Sequence, residues 1–315
     1  MKYSGQAQAS KGLGENRLVK RAMQGTVLGM LVVLIAFAAS SGSQAQASQV
    51  GDLFQDEGAY GCISRDSSDA CGVAANLWRP GRIAVSPNGS NAYVTTSDQG
   101  GAVSKFTAFG SSGHMLATGC VSGTAGDANC ETGYGFGLQQ VAGVAVSADN
   151  QSIYASSPTA IGEFQNSGSP SQLGQSDCLI PGGYASVCGK SHDLVGSGDL
   201  AASPDGKHLY AAFSGAAQGG NRGGVGVFNI SPGRRISQDP GMRGCIADAD
   251  DNHCNDARGL AGAEGVVVSP DGKNVYTTST SGAVTALTRP RPPRCRCNPP
   301  APTSPRTAGP PTCTT

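Results

Sequence analysis

Short apolar runs flank a compact polar turn at four places along the chain. The clearest copy is VVVSPDGKNVYT, residues 266–277. Pro presets the backbone of the second turn position and Gly accepts a positive φ, so this segment predicts a β-hairpin. The other copies are IAVSPNGSNAYV, VAVSADNQSIYA and LAASPDGKHLYA, at residues 83–94, 144–155 and 200–211.

Each hairpin belongs to a repeat that contains four strand candidates. The turn serines are 61, 56 and 66 residues apart, and they are Ser86, Ser147, Ser203 and Ser269. In the last repeat the strand candidates are residues 244–246, 266–269, 273–277 and 283–288. Four short antiparallel strands in a unit of this size are typical of a propeller blade. The sequence therefore predicts an all-β protein, a β-propeller of four four-stranded blades, either closed or an open, truncated ring.

The two ends of the repeat region complement each other. The region begins with a Gly-Cys-Ile segment, residues 61–63, and ends on the strand candidate at 283–288. If each Gly-Cys-Ile segment is the outermost strand of the preceding blade, the first has no blade and the last blade has no outer strand. Pairing the two would close the ring and cover both sheet edges, so we expect that pairing.

The first 47 residues have the features of a secretory signal peptide. A basic start precedes a mostly apolar run of 14 residues, at 26–39, and Ala45-Gln46-Ala47 is a small-x-small cleavage site. An uncleaved anchor is the alternative, but this run is shorter than the ~20 residues that span a bilayer. We expect cleavage after Ala47, secretion, and no membrane span in the mature chain.

The chain changes composition after the last repeat. Residues 290–315 contain nine of the 18 prolines, three cysteines and no acidic side chain, which predicts a disordered Pro-rich tail. A genuine tail and a shifted reading frame both explain it, and the second is favoured because the repeat stops within a unit. The predicted domains are thus a signal peptide (1–47), a β-propeller (48–289) and a tail (290–315).

Eight of the 11 cysteines recur in register with the hairpins. They form close pairs nine or ten residues apart: Cys62 with Cys71, Cys120 with Cys130, Cys178 with Cys188, and Cys245 with Cys254. In an exported chain, one close pair in each repeat predicts one disulfide within each pair. A metal site is the alternative, but it is typically built from tighter Cys-x-x-Cys spacing.

The charge of the repeat region excludes one class of partner. Residues 48–289 carry 13 basic and 21 acidic side chains, a net charge of −8. Proteins that bind nucleic acid present a basic surface instead. We therefore expect no nucleic-acid partner, and an extracellular ligand, a cell-wall polymer or another protein in its place.

The repeated residues resemble a known family. VSPDGKNVY hairpins followed by GAV-x-x-F strands and Gly-Cys-Ile segments are similar to secreted bacterial β-propeller repeat proteins of the lactonase-like, or Tyr-Val-Thr-Asn, type. The resemblance covers residues 51–289 and implies a propeller. Two departures are that such propellers usually have six or seven blades, and that the turn of residues 147–150 lacks Pro and Gly. No active-site motif of the lactonases is matched, so the resemblance implies no catalytic residue.

One loop is a candidate for calcium binding. Acidic and amide side chains crowd residues 248–256, and the candidate ligands are Asp248, Asp250, Asp251 and Asp256. Calcium prefers several carboxylate and carbonyl oxygens on one loop. However, His253 occupies the place of the EF-hand glycine and no Glu closes the loop, so a solvated, disulfide-bonded loop is the alternative. Apart from calcium, the sequence predicts no cofactor.

The repeated polar residues are expected to be structural. The turn serines recur at equivalent positions, where a hydroxyl caps backbone amides, and Tyr93, Tyr154, Tyr210 and Tyr276 are expected to pack between blades. The four histidines, His114, His192, His208 and His253, occupy different places in the repeat and predict no shared active site.

Two functions remain open, and the sequence does not decide whether the protein is an enzyme. The first is a secreted propeller that presents loops to an extracellular ligand, without catalysis. The second is a lactonase-like hydrolase or isomerase with a site at the ring centre, a reading that rests on the fold alone.

Overall fold

The fold is that of a computed structural model. It describes residues 59, 61–66, 70–74, 76–98, 100–109, 114–124, 130–133, 135–166, 173–181, 188–192, 194–215, 223–233, 235–248 and 254–290. The predicted signal peptide and all of the predicted tail beyond Pro290 lie outside the described residues, so those two domain boundaries stay predictions.

The described residues form strands joined by turns, with a 3-10 helix at Gly241–Gly244. In chain order the strands are β1 (Ile63–Ser64), β2 (Gly72–Val73), β3 (Pro80–Val85), β4 (Asn91–Thr96), β5 (Ala102–Phe109), β6 (His114–Ser122), β7 (Glu131–Thr132), β8 (Gly143–Val146), β9 (Ser152–Ser157), β10 (Ala160–Asn166), β11 (Leu173–Pro181), β12 (Gly189–Ser191), β13 (Ser197–Ala202), β14 (His208–Phe213), β15 (Gly224–Ile230), β16 (Ile236–Gln238), β17 (Cys245–Asp248), β18 (Asn255–Ala257), β19 (Ala263–Val268), β20 (Asn274–Ser279) and β21 (Val284–Thr288).

Four sheets form the four blades of a β-propeller, as predicted. The strand order is β3-β4-β5-β6-β7 in blade 1, β8-β9-β10-β11-β12 in blade 2, and β13-β14-β15-β17-β18 in blade 3, where β16 also pairs with β15. Blade 4 has the order β19-β20-β21. The innermost strand of each blade begins the predicted hairpin. The next three strands in blades 1 to 3, and the next two in blade 4, follow it in antiparallel pairing.

The cysteine segments supply the outer strands, as the sequence predicts. β17, which begins at Cys245, pairs antiparallel with β15 of the preceding hairpin, and Ile246 lies opposite Val225. β6 and β11 have the same place in blades 1 and 2. Each blade from 1 to 3 is therefore completed by the chain that leads into the next blade.

The predicted turn chemistry is present in every hairpin. Gly89, Gly206 and Gly272 have φ values of 71°, 68° and 67°, in the left-handed region that favours glycine. Blade 2 lacks this glycine, and Asn150 takes its place with a φ of 61°. Asparagine tolerates this conformation better than most residues, so the departure in sequence leaves the turn intact.

The core lies between the blades. One apolar cluster joins blades 1 and 2, a second joins blades 2 and 3, and a third joins blades 3 and 4. Tyr93, Tyr154 and Tyr210 are buried in these junctions, as predicted for the repeated tyrosines. Tyr276 of blade 4 is an exception because its ring is exposed.

The predicted closure of the ring is wrong for the single chain. Among the described strands, β21 pairs with β20 alone and β1 with β2 alone. The segment after β2 lies against blade 1, where the Asn76 side-chain amide contacts the Cys120 sulfur at 2.9 Å. The outer faces of blades 1 and 4 expose Ile83, Val85 and Val284. The chain thus forms an open arc whose ends do not meet.

Candidate functional site

Four disulfide-bonded segments share one backbone structure. The four bonds lie within the predicted pairs, with Cα–Cα distances of 4.9, 4.8, 4.6 and 4.8 Å in chain order. In each segment a short strand pairs parallel with the strand that carries or follows the first cysteine, as β1 with β2, β6 with β7, β11 with β12, and β17 with β18. We call each such unit a cystine module. Four disulfides indicate an oxidising compartment.

The cystine modules lie at one end of the blades. In blade 1 the Gly123 amide donates to the Gly101 carbonyl at 2.9 Å, which joins the module to the turn between β4 and β5. In blade 3 the Asp248 amide donates to the Gly223 carbonyl at 3.0 Å, in the corresponding place. The serine turns occupy the opposite end. We call the module end the module face and the other the turn face.

The exposed positions of the modules differ from one repeat to the next. The second residue after the second cysteine is exposed in all four modules, and it is Val73, Thr132, Lys190 and Asp256 in chain order. One backbone position therefore presents an apolar, a hydroxyl, a cationic and an anionic side chain. The disulfide and the parallel strand pair hold each of these side chains on a rigid base.

The calcium prediction falls partly on described residues. One carboxylate oxygen of Asp248, Oδ2, accepts hydrogen bonds from the Gly259, Leu260 and Ala261 amides at 2.8, 3.0 and 3.3 Å. This oxygen thus holds the chain between two strands. Asp256 is exposed on β18, and Asp250 and Asp251 lie outside the described residues. No group of three or more metal-binding side chains occurs in the described part of the chain, and the calcium site stays a prediction.

The turn serines have the structural role that the sequence predicts. The Ser203 hydroxyl donates to Asp205 Oδ1 at 2.5 Å and accepts from the His208 amide at 2.9 Å. Ser86, Ser147 and Ser269 make the same two types of bond in their own turns. These hydroxyls are therefore engaged in holding the hairpins.

A cluster on the turn face between blades 3 and 4 was not predicted. The Arg289 guanidinium donates to the Gly272 carbonyl at 2.6 Å, to Asp205 Oδ2 at 2.9 Å and to His208 Nδ1 at 2.9 Å. Its charge lies over the Tyr210 ring, 5.8 Å from the centroid. The sequence places Arg289 at the domain boundary, and no local pattern shows that it contacts a turn 84 residues away.

The electrostatics of this cluster fix the state of His208. Arginine only donates hydrogen bonds, so His208 Nδ1 is an acceptor and the ring is neutral. Burial and the adjacent Arg289 charge lower the pKa of His208 below its ordinary value of 6.5. Burial alone would raise the pKa of Asp205, but hydrogen bonds from Ser203, Lys207 and Arg289 outweigh it and lower that pKa to about 2. The cluster is thus a neutral histidine beside an ion pair.

The other described histidines lie away from this cluster. His192 Nε2 lies 3.0 Å from the Asp239 carbonyl, so this nitrogen carries the proton, and the His192 amide donates to Gln238 Oε1 at 2.8 Å. His114 begins the outer strand β6, and His253 lies outside the described residues. The described histidines therefore lie in separate parts of the fold.

A partly buried carboxyl, that of Asp199, lies on the innermost strand of blade 3. Consecutive blades approach so closely there that a Cβ on Gly198 would lie 2.5 Å from the Glu264 carbonyl oxygen. Beside this contact, burial raises the pKa of Asp199, while a bond from the Leu200 amide and the charge of Arg82 act in the opposite direction. The charge of Arg82, from blade 1, thus acts on the carboxyl of Asp199, from blade 3, on the concave side of the arc.

Comparison with known proteins gives structural neighbours only. No protein-family profile and no curated protein matches the chain. The periplasmic gluconolactonase of Pseudomonas aeruginosa is 17% identical with a TM-score of 0.46, over 68% of this chain and 55% of that one. A candidate 6-phosphogluconolactonase from Bacteroides fragilis is 13% identical with a TM-score of 0.45, over 75% and 55%. This chain therefore spans about half the length of those proteins.

The fold assignment rests on the strand pairing described above. Both of the neighbours described above bear lactonase names, the group that the hairpin motifs resemble. In the described part of the chain, no helix has the length and apolar character needed to cross a bilayer.

Proposed function

We propose that this protein is exported and binds an extracellular ligand, a cell-wall polymer or a protein, through the module face, without catalysis. The observation that carries the proposal is the variation at one exposed backbone position, where Val73, Thr132, Lys190 and Asp256 occupy the same place in four like modules. A constant frame with variable exposed side chains is the arrangement of a recognition surface.

The internal bonds of the modules support this function. A disulfide and a parallel ladder fix each module before any ligand arrives, so little conformational entropy is lost when one binds. The turn serines, by contrast, are the same in every repeat and are used within their own hairpins. The constant residues therefore build the frame, and the variable residues remain available to a partner.

Export is a second part of the proposal. Four disulfides require an oxidising compartment, and the sequence of residues 1–47 predicts a cleaved signal peptide. N-terminal sequencing of the protein recovered from the medium or periplasm tests this directly. A mature chain that begins near Ser48 would support it, and an intact N-terminus in the cytoplasm would contradict it.

The binding function is tested by co-sedimentation of the purified protein with isolated cell walls, and by affinity capture with surface proteins. We expect the combined variant Thr132→Ala, Lys190→Ala, Asp256→Ala to lose most of the binding. Lys207→Ala is the matched control, because Lys207 is an exposed lysine on the turn face. Equal binding by the triple variant and the wild type would contradict the use of the module face.

A hydrolase of the lactonase-like kind is the second candidate, and the partly buried Asp199, on which the charge of Arg82 acts, favours it. A partly buried carboxyl with a pKa raised by burial is a common feature of active sites. A screen of lactones and esters with the wild type, Arg82→Ala and Asp199→Asn tests it. Turnover by the wild type that both variants lose would support hydrolysis, and its absence across the screen would favour the binding function.

A further inference from the structure

Blade 4 leaves open the face that every other blade buries against its successor. Val284 is 77% exposed, whereas the equivalent residues Val103, Ile161 and Val225 are 1% exposed or less. Tyr276 and Val267, on the same face, are also exposed, and the first has buried equivalents in the three other blades. This face therefore has the composition of a blade junction, but no described blade packs on it.

Blade 1 leaves open the opposite face. Ile83 is 64% exposed, whereas the equivalent residues Val144, Leu200 and Val266 are 5% exposed or less, each packed against the preceding blade. Leu77 shows the same contrast, since it is half-buried and its equivalents Leu138, Leu194 and Leu260 are fully buried. Blade 1 is thus built to receive a preceding blade.

The two open faces are the two halves of one repeated junction. In each of the three formed junctions, the face equivalent to the open face of blade 4 packs against the face equivalent to the open face of blade 1. Apolar surface of this kind is stabilised by removal from water. Because the arc is open, the two halves cannot meet within the chain, but they can meet between two copies.

The free strands complement each other in the same way. Among the described strands, blade 4 has no outer strand and the first cystine module pairs with no blade. In blades 1 to 3 the residue directly after the first cysteine lies opposite the apolar residue of the blade's third strand, in the pairs Val103 with Val121, Ile161 with Leu179, and Val225 with Ile246. The same register places Ile63 of one copy opposite Val284 of another.

We propose that two copies of this chain associate head to tail and close one eight-bladed ring. Blade 4 of each copy packs against blade 1 of the other, and β1 of each copy becomes the outer strand of the other's blade 4. Eight blades lie within the range of known propellers, and two identical end-to-end contacts close when the rotation of the repeat permits it. The association covers both apolar faces and both free sheet edges.

The mass of the purified chain in solution, measured by light scattering, tests this proposal. We expect twice the mass of a single chain, with one chain on a non-reducing denaturing gel, so that disulfides of the tail cysteines do not join the copies. Ile83→Glu and Val284→Glu should each halve the mass while the hairpins stay folded, because both side chains are exposed in the single arc. Met242→Glu, an exposed apolar position away from both faces, is the matched control.

Mixing the two variants distinguishes a head-to-tail contact from a symmetric one. Each variant keeps one intact face, so an equimolar mixture should regain a dimer with one good junction. Amide exchange at β21 should be slow in the dimer and fast in either variant alone. A monomer with fast exchange at β21, a monomer with slow exchange there, a dimer that only one variant breaks, or an extended polymer would each overturn the two-copy ring.

Discussion

Replacing Arg289 by Ala removes the side chain that ties the end of blade 4 to the turn of blade 3. Three hydrogen bonds disappear, and the guanidinium no longer covers Tyr210. The ion pair to Asp205 is partly solvated, since that carboxylate side chain is 45% exposed, and pairs of this kind contribute about 0.5 kcal/mol. The bond to the Gly272 carbonyl comes from a largely buried cation and contributes about 1.5 kcal/mol.

Together with the lost packing of the side-chain stem, we expect Arg289→Ala to lower the free energy of unfolding by about 2–3 kcal/mol. Urea titration followed by fluorescence or circular dichroism measures it, and the midpoint should move without a change in slope. Arg289→Lys should recover only part of the loss, because an ammonium does not reproduce the planar fork that reaches Gly272, Asp205 and His208 together.

A double-mutant cycle measures the interaction energy between Asp205 and Arg289. Asp205→Ala and Arg289→Ala should be non-additive by about 0.5 kcal/mol, since they remove one shared bond. A stability of Arg289→Ala equal to that of the wild type, together with full additivity, would refute the assigned role of this side chain. The same cycle with Lys207→Ala in place of Asp205→Ala serves as the control. No described bond joins Lys207 to Arg289, so the two substitutions should be additive.

Three further predictions follow from particular contacts. Stability should fall as pH drops from 6.5 through the lowered pKa of His208, because the unfolded chain binds that proton more tightly than the folded one. It should fall again from pH 3.8 towards 2 as Asp205 is protonated. In urea titrations at a series of pH values, His208→Gln should remove only the first of these two losses. Non-reducing peptide mapping should recover the four predicted cysteine pairs, and bridges between repeats would contradict the blade assignment. The double variant Cys178→Ala, Cys188→Ala should lower the free energy of unfolding by about 2.5 kcal/mol, as expected for a loop of this size. Deleting residues 290–315 should leave the melting temperature unchanged, whereas a deletion that starts at Arg289 should lower it by several degrees; equal effects of the two would show that the tail itself packs.

Local sequence determines the hairpins because their chemistry is local. A glycine or asparagine with positive φ, a serine that caps the turn and flanking β-branched runs act over a dozen residues, and all four copies fold as predicted. The same holds for the disulfides. Each pair is so close along the chain that the short loop, repeated in register, is enough to indicate its partner.

The assignment of outer strands was also available from the sequence, because it follows from the order of like segments. The contacts of Arg289 were not, since they join residues 84 and 81 positions apart and depend on how blade 3 lies against blade 4. Nor does a hairpin sequence show that Arg82 of blade 1 lies near Asp199 of blade 3. Such neighbours are set by the angle between blades.

Ring closure shows the same limit most clearly. The sequence determined that each blade has two apolar faces and that the outer strands are shared between neighbours. It also determined which ends complement each other. Whether those ends meet within one chain depends on the sum of the small rotations between blades, which packing at the three junctions sets. In the single chain that sum leaves Val284 and Ile83 exposed, and only the tertiary structure decided it.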